Sequence, residues 1–200
     1  MENNIVLEKY EWDNTWSDFS DDINKPRVLY IGDSISCGTK HIATARCGKK
    51  MIFDGFGTSK SLDNPYFIDC LELFVKQLPR VDTIIFNNGL HGWHLSDNAD
   101  YGYYYEEMVK YLLKRFPKSS LHIVLTSYTS YADYKDRVSE RNKVALGIAQ
   151  KYSLPVIDIY SVTKENSHLL CDDEVHFVKE GYEIIADTIN SALKCNTYVN

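Results

Sequence analysis

Long apolar segments are missing from this chain of 200 residues. No stretch approaches the roughly 18 consecutive apolar residues that a membrane span requires, so a membrane-embedded protein is excluded. The first ten residues also lack the basic start and the apolar core of a secretory signal. We therefore expect a cytoplasmic protein, or a secreted or periplasmic one if a leader precedes this sequence.

Positive charge and paired cysteines are also scarce. The 22 Lys and Arg residues are outnumbered by 28 Asp and Glu residues, which gives a net charge of −6 and a pI of about 5.5. Such a surface repels nucleic-acid phosphates and anionic lipids, so we expect neither nucleic acid nor a membrane as a partner. The five cysteines form no C-x-x-C pair, which excludes a zinc ribbon or a thioredoxin-like motif, and free thiols are expected.

The sequence does contain a regular alternation of apolar runs and amphipathic segments. The short apolar runs predict strands over residues 27–31, 51–53, 81–86, 121–126 and 154–159. Helical spacing of apolar residues predicts helices over 64–78, 103–116, 134–152 and 179–193. This alternation predicts an α/β fold, a three-layer α/β/α sandwich with a central parallel, flavodoxin-like five-stranded sheet. We expect an N-terminal arm over 1–25 that packs on a single domain over 26–200.

Ser34 follows the first predicted strand, in the sequence Gly32-Asp33-Ser34. Ligands of such sheets bind outside the carboxyl ends of the strands, so this serine is expected at the mouth of the sheet. Its backbone N–H at a helix N-terminus favours a negative oxygen, and its Oγ is a candidate nucleophile. From the turn alone, a capping role is favoured by about two to one. The absence of a G-x-S-x-G motif excludes an ordinary α/β-hydrolase elbow.

A serine nucleophile needs a base, and His176 is the histidine best placed to supply one. Asp173 precedes it by three positions, just before the last predicted helix. This spacing lets the carboxylate accept from the imidazole Nδ1–H while the other ring nitrogen faces Ser34. The D-x-x-H pattern alone is weak, because a chain of this length contains one by chance roughly 10–20% of the time. We interpret His122 as a core residue, and His41 and His168 as solvated.

Asn87, Asn88 and His91 follow the strand over 81–86, at the same expected edge of the sheet. An amide or imidazole N–H at that place can help to bind an oxyanion. A plain Asn-Asn-Gly turn explains these residues equally well. Gly57 either lets the backbone approach a ligand or only forms a turn.

Together these residues resemble the SGNH hydrolase superfamily, the GDSL-type esterases and lipases. The resemblance rests on two segments, 28–36 (VLYIGDSIS) and 173–182 (DEVHFVKEGY), and implies the family topology from about residue 27 onward. It implies Ser34 as the nucleophile, His176 as the base and Asp173 as the acidic partner of the base. It also implies a hydrolase acting on short-chain acyl esters through an acyl-enzyme, with no metal or organic cofactor.

The oxyanion hole departs from the family pattern. The family's third block is usually Gly-x-Asn-Asp, whereas residues 89–92 are Gly-Leu-His-Gly. His91 therefore stands where the asparagine is expected, unless Asn88 reaches in from one turn earlier. The second block normally supplies a glycine N–H, and the best candidates for it are Gly57 and the run over 58–61 (Thr-Ser-Lys-Ser). The expected oxyanion groups are thus the Ser34 N–H, Gly57, Asn88 and His91.

The resemblance suggests a small-molecule ester as the partner, with O-acetyl groups on carbohydrate as the expected substrate. Trp93 and Tyr101 are candidates for a substrate rim, because aromatic side chains suit sugar ligands. The alternative is a catalytically impaired ligand-binding protein on the same fold, since the Asn-Asp pair of the family is missing. The presence of all three residues Ser34, Asp173 and His176 argues against that alternative.

Overall fold

The computed structural model describes residues 5–195, so the outer ends of the predicted arm and domain lie outside the described residues. Within this range the strands are β1 (Asp13–Ser17), β2 (Arg27–Gly32), β3 (Ile52–Thr58), β4 (Thr83–Phe86), β5 (Ser120–Val124) and β6 (Val156–Ile157). The helices are α1 (Ser34–Arg46), α2 (Phe67–Val75), α3 (Asn98–Arg115), α4 (Ala132–Lys151), α5 (Ile159–Glu165) and α6 (Lys179–Ala192), with a 3₁₀ turn at Ser167–Leu169. Among residues 5–195, none of the helices combines the length and the apolar composition that a membrane span requires.

The strands form one sheet in the order β1-β3-β2-β4-β5-β6. All neighbouring pairs from β3 to β6 are parallel, and these five strands have the flavodoxin-like order. The predicted α/β class and the five-stranded parallel sheet are thus confirmed. The strand β1, which the sequence did not predict, adds a sixth strand antiparallel to β3.

The strand β2 shows how the sequence builds a core on both faces of the sheet. All six of its residues are buried. Val28 and Tyr30 pack with residues of α1, α5 and α6, whereas Leu29 and Ile31 pack with residues of α2, α3 and α4. Because successive side chains of a strand point to opposite faces, one continuous apolar run supplies both cores.

The strand β3 is longer than the predicted run over 51–53, because it continues through two glycines. A Cβ atom on Gly55 would lie 2.2 Å from the Lys40 Cδ, and one on Gly57 would lie 2.3 Å from the Cys37 Sγ. Glycine is disfavoured in strands in general, but here it lets α1 pack directly on the sheet. The close approach of α1 therefore explains why propensity alone predicted too short a strand.

The N-terminal segment joins the sheet through β1 and a buried ion pair. Arg27 and Asp54 are both fully buried, with Nε–Oδ2 and Nη2–Oδ1 distances of 2.8 and 2.7 Å. The same guanidinium donates to the Ser17 Oγ and to the Asp18 carbonyl. A buried charge pair needs its remaining donors satisfied, and here the last residue of β1 and the residue after it accept from them.

The strand order reverses at β2, which lies between β3 and β4. The Asn87 N–H donates to the Ile31 carbonyl over 2.9 Å, so the segment after β4 begins directly beside the end of β2. Open α/β sheets bind ligands outside the carboxyl ends of the strands at such a switch point. The segments after β2 and β4 therefore form the place to search for a site.

Candidate active site

Ser34 is the first residue of α1 and follows the turn that ends β2. Asp33 is the N-cap residue, and its carboxylate accepts the Ile35 N–H over 2.9 Å. The capping role favoured for Ser34 therefore belongs to Asp33, and the Ser34 hydroxyl is left for another partner. The Ser34 N–H lies in the first helical turn, where N–H groups have no helical partner and the helix dipole favours a negative oxygen.

The partner of the Ser34 hydroxyl is His176. The Ser34 Oγ lies 2.8 Å from the His176 Nε2, and the His176 Nδ1 lies 2.6 Å from the Asp173 Oδ2. Ser34 and His176 are 142 positions apart in sequence, so the fold alone brings them together. In this arrangement the hydroxyl can pass its proton to the imidazole, and the carboxylate can stabilise the charged ring that results.

The Asp173 carboxylate is held by three donors. Its Oδ1 accepts the backbone N–H groups of Val175 and His176, while its Oδ2 faces the ring of His176. Burial raises the pKa of Asp173, but these hydrogen bonds and the nearby imidazole outweigh burial and lower the pKa to about 2. The group is therefore a carboxylate at neutral pH. It keeps the proton on Nδ1 and leaves Nε2 as the acceptor for Ser34.

The loop between Asp173 and His176 is a strained turn held from both sides. Glu174 has a φ of 60°, a left-handed value that side chains other than glycine seldom adopt. Its N–H donates to the Cys171 carbonyl over 2.9 Å, and the Thr129 Oγ1 donates to the Glu174 carbonyl over 2.6 Å. Thr129 lies in the segment after β5, so the sheet itself positions the turn.

Asn88 lies after β4 and is buried. Its Nδ2 donates to the Lys60 carbonyl over 3.2 Å, which leaves the second amide hydrogen for another acceptor. Asn87 has a different role, because its Nδ2 donates to the Val124 carbonyl and to the Thr126 Oγ1. Asn87 therefore ties the end of β4 to β5, and Asn88 is the amide available at the site.

Gly57 lies inside β3 rather than in a turn. It pairs with Gly32 of β2 on one side and with Asn14 of β1 on the other. Gly57 therefore does not form a turn, which was one of its two interpretations, and the close packing of α1 accounts for a glycine here. Its expected part in the oxyanion hole stays a prediction.

The two aromatic residues expected at the rim differ in location. Tyr101 is only 1% exposed, so the prediction that it lies at the rim is wrong. Helix α3 begins at Asn98 rather than at 103, which places Tyr101 on the buried face of that helix. Its hydroxyl donates to the Asn88 carbonyl, so Tyr101 holds the backbone of Asn88 from the side of the core. Trp93 is 54% exposed and remains a predicted rim residue.

His91 is largely buried and pairs with Glu8, a residue of the N-terminal arm. The His91 Nδ1 lies 2.9 Å from the Glu8 Oε2, and the Gly92 N–H donates to the Glu8 Oε1 over 2.9 Å. Burial lowers the pKa of His91, but the hydrogen bond to Glu8 and the charges of Asp33, Glu8 and Glu11 outweigh it and raise the pKa. Sequence analysis missed Glu8, because a single acidic residue in an arm forms no pattern.

Arg141 of α4 is a second residue that sequence analysis missed. Its side chain is buried, and its guanidinium donates to the carbonyls of Gly89, His91, Gly92 and Leu95. The guanidinium also lies 4.3 Å from the centroid of the Tyr101 ring. Burial lowers the pKa of Arg141 to about 10, so the side chain remains charged at neutral pH. Arg141 thus fixes the backbone of the segment that bears His91.

The other histidines lie in separate environments. His41 pairs with Asp18, and His94 pairs with Asp63. His122 is half-buried, and burial lowers its pKa. No group of three His, Cys, Asp or Glu side chains in residues 5–195 is arranged to hold a metal ion.

Comparison with known proteins gives likenesses in structure only. No family model and no curated protein matches the sequence. An alpha/beta hydrolase enzyme from the metagenome of Lake Arreo, Spain, is similar with a TM-score of 0.67 and 13% identity, over 86% of this chain and 98% of that one. A member of the lipolytic G-D-S-L family from Veillonella parvula has a TM-score of 0.65 and 20% identity, over 84% and 98%. An acetyl xylan esterase has a TM-score of 0.64 and 16% identity, over 84% and 99%.

These likenesses extend over most of the described domain and nearly all of each compared chain. The resemblance inferred from the sequence is thus confirmed at the level of the fold: the chain has the fold of the SGNH, or GDSL-type, hydrolases.

Proposed function

We propose that this protein is a serine esterase that hydrolyses short-chain acyl esters through an acyl-enzyme. The observation that supports this most directly is the chain of contacts from Ser34 through His176 to Asp173, with distances of 2.8 and 2.6 Å. A binding protein has no need of a serine hydroxyl that is hydrogen-bonded to a histidine oriented by a carboxylate. The likeness in fold to lipolytic and esterase structures supports the same reaction class.

In the first half of the reaction, His176 Nε2 takes the hydroxyl proton as the Ser34 Oγ attacks the ester carbonyl. The new Oγ–C bond gives a tetrahedral intermediate whose former carbonyl oxygen is negative. When the intermediate collapses, the bond from carbon to the alcohol oxygen breaks, and His176 gives its proton to the departing alcohol. Asp173 remains a carboxylate and stabilises the imidazolium between these two transfers.

In the second half, water replaces the alcohol. His176 removes a proton from water as the water oxygen attacks the acyl carbon, and a second tetrahedral intermediate forms. The Oγ–C bond then breaks, the proton returns to Ser34, and the carboxylic acid departs. One ester and one water thus give one alcohol and one acid, and the enzyme is regenerated without a cofactor.

The negative oxygen of each intermediate needs donors beside Ser34. The Ser34 N–H at the start of α1 is one, because it has no helical partner and lies at the positive end of the helix dipole. The free amide hydrogen of Asn88 and the ring of His91 are the further candidates at this edge of the sheet. Such donors are each worth about 10²–10³ in kcat where they have been removed from hydrolases.

For the substrate we favour an acetyl group on a carbohydrate hydroxyl. The side chains of Asp173 and His176 are 51% and 40% exposed, so the site is open to solvent on the side where the alcohol departs. An open site can accommodate a bulky alcohol such as a saccharide. The acyl group of an acetyl ester is small. The exposed ring of Trp93 offers an apolar face to a sugar, and one structural neighbour is an acetyl xylan esterase.

The experiment that tests this function compares hydrolysis of p-nitrophenyl acetate, butyrate and octanoate by the wild type and by Ser34→Ala. We expect kcat/KM to fall with acyl length and activity to vanish in Ser34→Ala. Ser119→Ala is the matched control, since Ser119 precedes β5 at the opposite end of the sheet and should leave activity unchanged. Acetate release from acetylated oligosaccharides then tests the alcohol.

Labelling by a fluorophosphonate separates the esterase from the alternative binding protein. A nucleophilic Ser34 should form a phosphonyl adduct that Ser34→Ala cannot form. A folded wild type that neither hydrolyses these esters nor takes up the label would overturn the proposed esterase and favour a ligand-binding role.

A further inference from the structure

The N-terminal arm places one carboxylate directly on the loop that follows β4. The two oxygens of Glu8 accept from the His91 Nδ1 and from the Gly92 N–H, each over 2.9 Å. The side chains of Glu8 and His91 are only 20% and 15% exposed. This arrangement repeats the Asp173–His176 pair, in which a carboxylate also accepts from Nδ1 of an imidazole. The site thus has a second histidine oriented by a second carboxylate.

The other ring nitrogen of His91 is the informative atom. The His91 Nε2 is buried and has no hydrogen-bond partner among the described residues. Since Nδ1 bears a proton to donate to Glu8, Nε2 is the nitrogen that remains for a ligand. The segment that bears His91 begins beside the end of β2, where the Asn87 N–H donates to the Ile31 carbonyl. The charge of Asp33, next to Ser34, also acts on the His91 ring. His91 therefore belongs to the same edge of the sheet as Ser34.

The ring is held so that it cannot easily turn away. The Arg141 guanidinium donates to the carbonyl of His91 itself and to those of Gly89 and Gly92. The Trp12 ring, from the same arm as Glu8, packs edge-on against the imidazole with a centroid distance of 5.9 Å. Arg141 of α4 thus fixes the backbone of His91, and Glu8 and Trp12 of the arm fix its ring.

We propose that Glu8 is a positioning residue that keeps His91 as an imidazolium, so that the Nε2–H of His91 donates to the oxyanion formed at Ser34. This inference rests on the proposed esterase function. It assigns to the N-terminal arm a part in catalysis that lies outside the sequence segments typical of the family. No covalent bond forms or breaks at His91: the Nε2–H donates a hydrogen bond as the oxygen becomes negative and keeps its proton throughout.

The ionised state matters because the neutral ring would work against the reaction. With Nδ1–H committed to Glu8, a neutral His91 presents a lone pair at Nε2, which repels a negative oxygen. The charges that act on the ring are the carboxylates of Glu8, Glu11 and Asp33. On the side of α4, Arg137 acts on Glu8, and the Arg141 guanidinium donates to the His91 carbonyl. The net effect of the carboxylates is to raise the pKa of His91, against the burial that lowers it.

Glu8 itself stays ionised. Burial raises its pKa, but the hydrogen bonds from His91 and the Gly92 N–H, together with the charge of Arg137, outweigh burial and lower the pKa. The pair is therefore a carboxylate and a ring whose pKa it raises. Without the charge of Glu8, the His91 ring should lose its proton at lower pH.

The decisive variant is Glu8→Gln, which removes the charge and whose single amide oxygen can accept from either the His91 Nδ1–H or the Gly92 N–H but not from both. We expect the alkaline limb of the profile of kcat against pH to move to lower pH by about one unit, while the acid limb stays in place. The loss of kcat should therefore be small on the acid side of the profile and approach tenfold on its alkaline limb. Substrate KM should change little.

The matched control is Asp18→Asn. Asp18 lies on the same arm and also accepts from the Nδ1 of a histidine, His41, over 2.8 Å, away from the segment that bears His91. Asp18→Asn removes one negative charge from a carboxylate–histidine pair, as Glu8→Gln does, and should leave both limbs of the profile of kcat against pH unchanged. A general disturbance of the arm would lower activity at all pH values and in both variants.

An NMR titration of the His91 ring gives a readout that does not depend on turnover. The His91 pKa should be lower in Glu8→Gln than in the wild type, and it should rise further in the phosphonylated wild type, whose negative phosphonyl oxygen stands in for the oxyanion. An unchanged alkaline limb in Glu8→Gln, or a His91 pKa that does not respond to the adduct, overturns the inference. Those outcomes in an enzyme that still loses activity in Ser34→Ala would leave the esterase function intact.

Discussion

Replacement of Asp173 by asparagine is the sharpest test of the chain from Ser34 to Asp173, because the structure separates two tasks of this carboxylate. Its Oδ1 accepts the N–H groups of Val175 and His176, and its Oδ2 alone faces the imidazole. An asparagine can keep its carbonyl oxygen at the Oδ1 position. The backbone of the turn then remains bonded as before.

The amide nitrogen of Asp173→Asn would then take the Oδ2 position, 2.6 Å from the His176 Nδ1 in the wild type. An NH₂ group donates, so Nδ1 must accept and the proton moves to Nε2. That proton faces the Ser34 Oγ, and the ring can no longer remove a proton from the hydroxyl. In Ser-His-Asp hydrolases this change of tautomer lowers kcat by about 10⁴, and we expect a loss of about 10³–10⁴.

The assay is the hydrolysis of p-nitrophenyl acetate, with urea unfolding in parallel. Asp173→Asn should unfold at nearly the same urea concentration as the wild type at pH 7, because the backbone bonds to Oδ1 are retained. Asp172→Asn is the control, since it removes a neighbouring exposed charge and should retain full activity. A folded Asp173→Asn protein with more than a tenth of the wild-type kcat would refute the role assigned to Asp173.

Two further variants test the segment after β4. His91→Ala should lower kcat by about 10²–10³ with little change in KM, as expected for loss of an oxyanion donor, and a kcat near that of the wild type would remove His91 from the mechanism. Arg141→Met should destabilise the fold by about 2–4 kcal/mol in urea unfolding, because four carbonyls lose a charged donor in a buried place, and a loss below about 1 kcal/mol would contradict the anchoring role of Arg141.

Local patterns of the sequence were sufficient for the parallel core. The run Val-Leu-Tyr-Ile over 28–31 is apolar at every position because β2 is covered on both faces, and such a run is visible without a structure. The positions of Ser34 after this strand and of Asp173 three residues before His176 are likewise local. The rule that ligands bind at the carboxyl ends of parallel strands was enough to expect them together.

Long-range packing explains the errors. The strand β1 has an exposed, polar sequence and is stabilised by long-range contacts, chiefly its pairing with β3, about 40 residues away, so no local pattern predicts it. The length of β3 depends on how closely α1 approaches Gly55 and Gly57. Tyr101 looked suited to a rim because of its aromatic ring, but its exposure depends on which face of α3 is turned to the sheet.

The fold class, the parallel sheet and the pairing of Asp173 with His176 could be predicted from local segments, because each follows from a strand, a turn or a spacing of a few residues. Three contacts depend on the tertiary structure: that of His176 with Ser34 across 142 positions, that of Glu8 with His91 across 83, and the anchoring of the loop by Arg141. The sheet order sets β2 beside β4 and β1 beside β3, which brings the His91 segment to the end of β2 and the arm to the edge of the sheet. His176 reaches Ser34 because α6 packs on α1 and because Thr129, after β5, holds the turn before α6. Which strands become neighbours is a property of the whole chain, and no local segment encodes it.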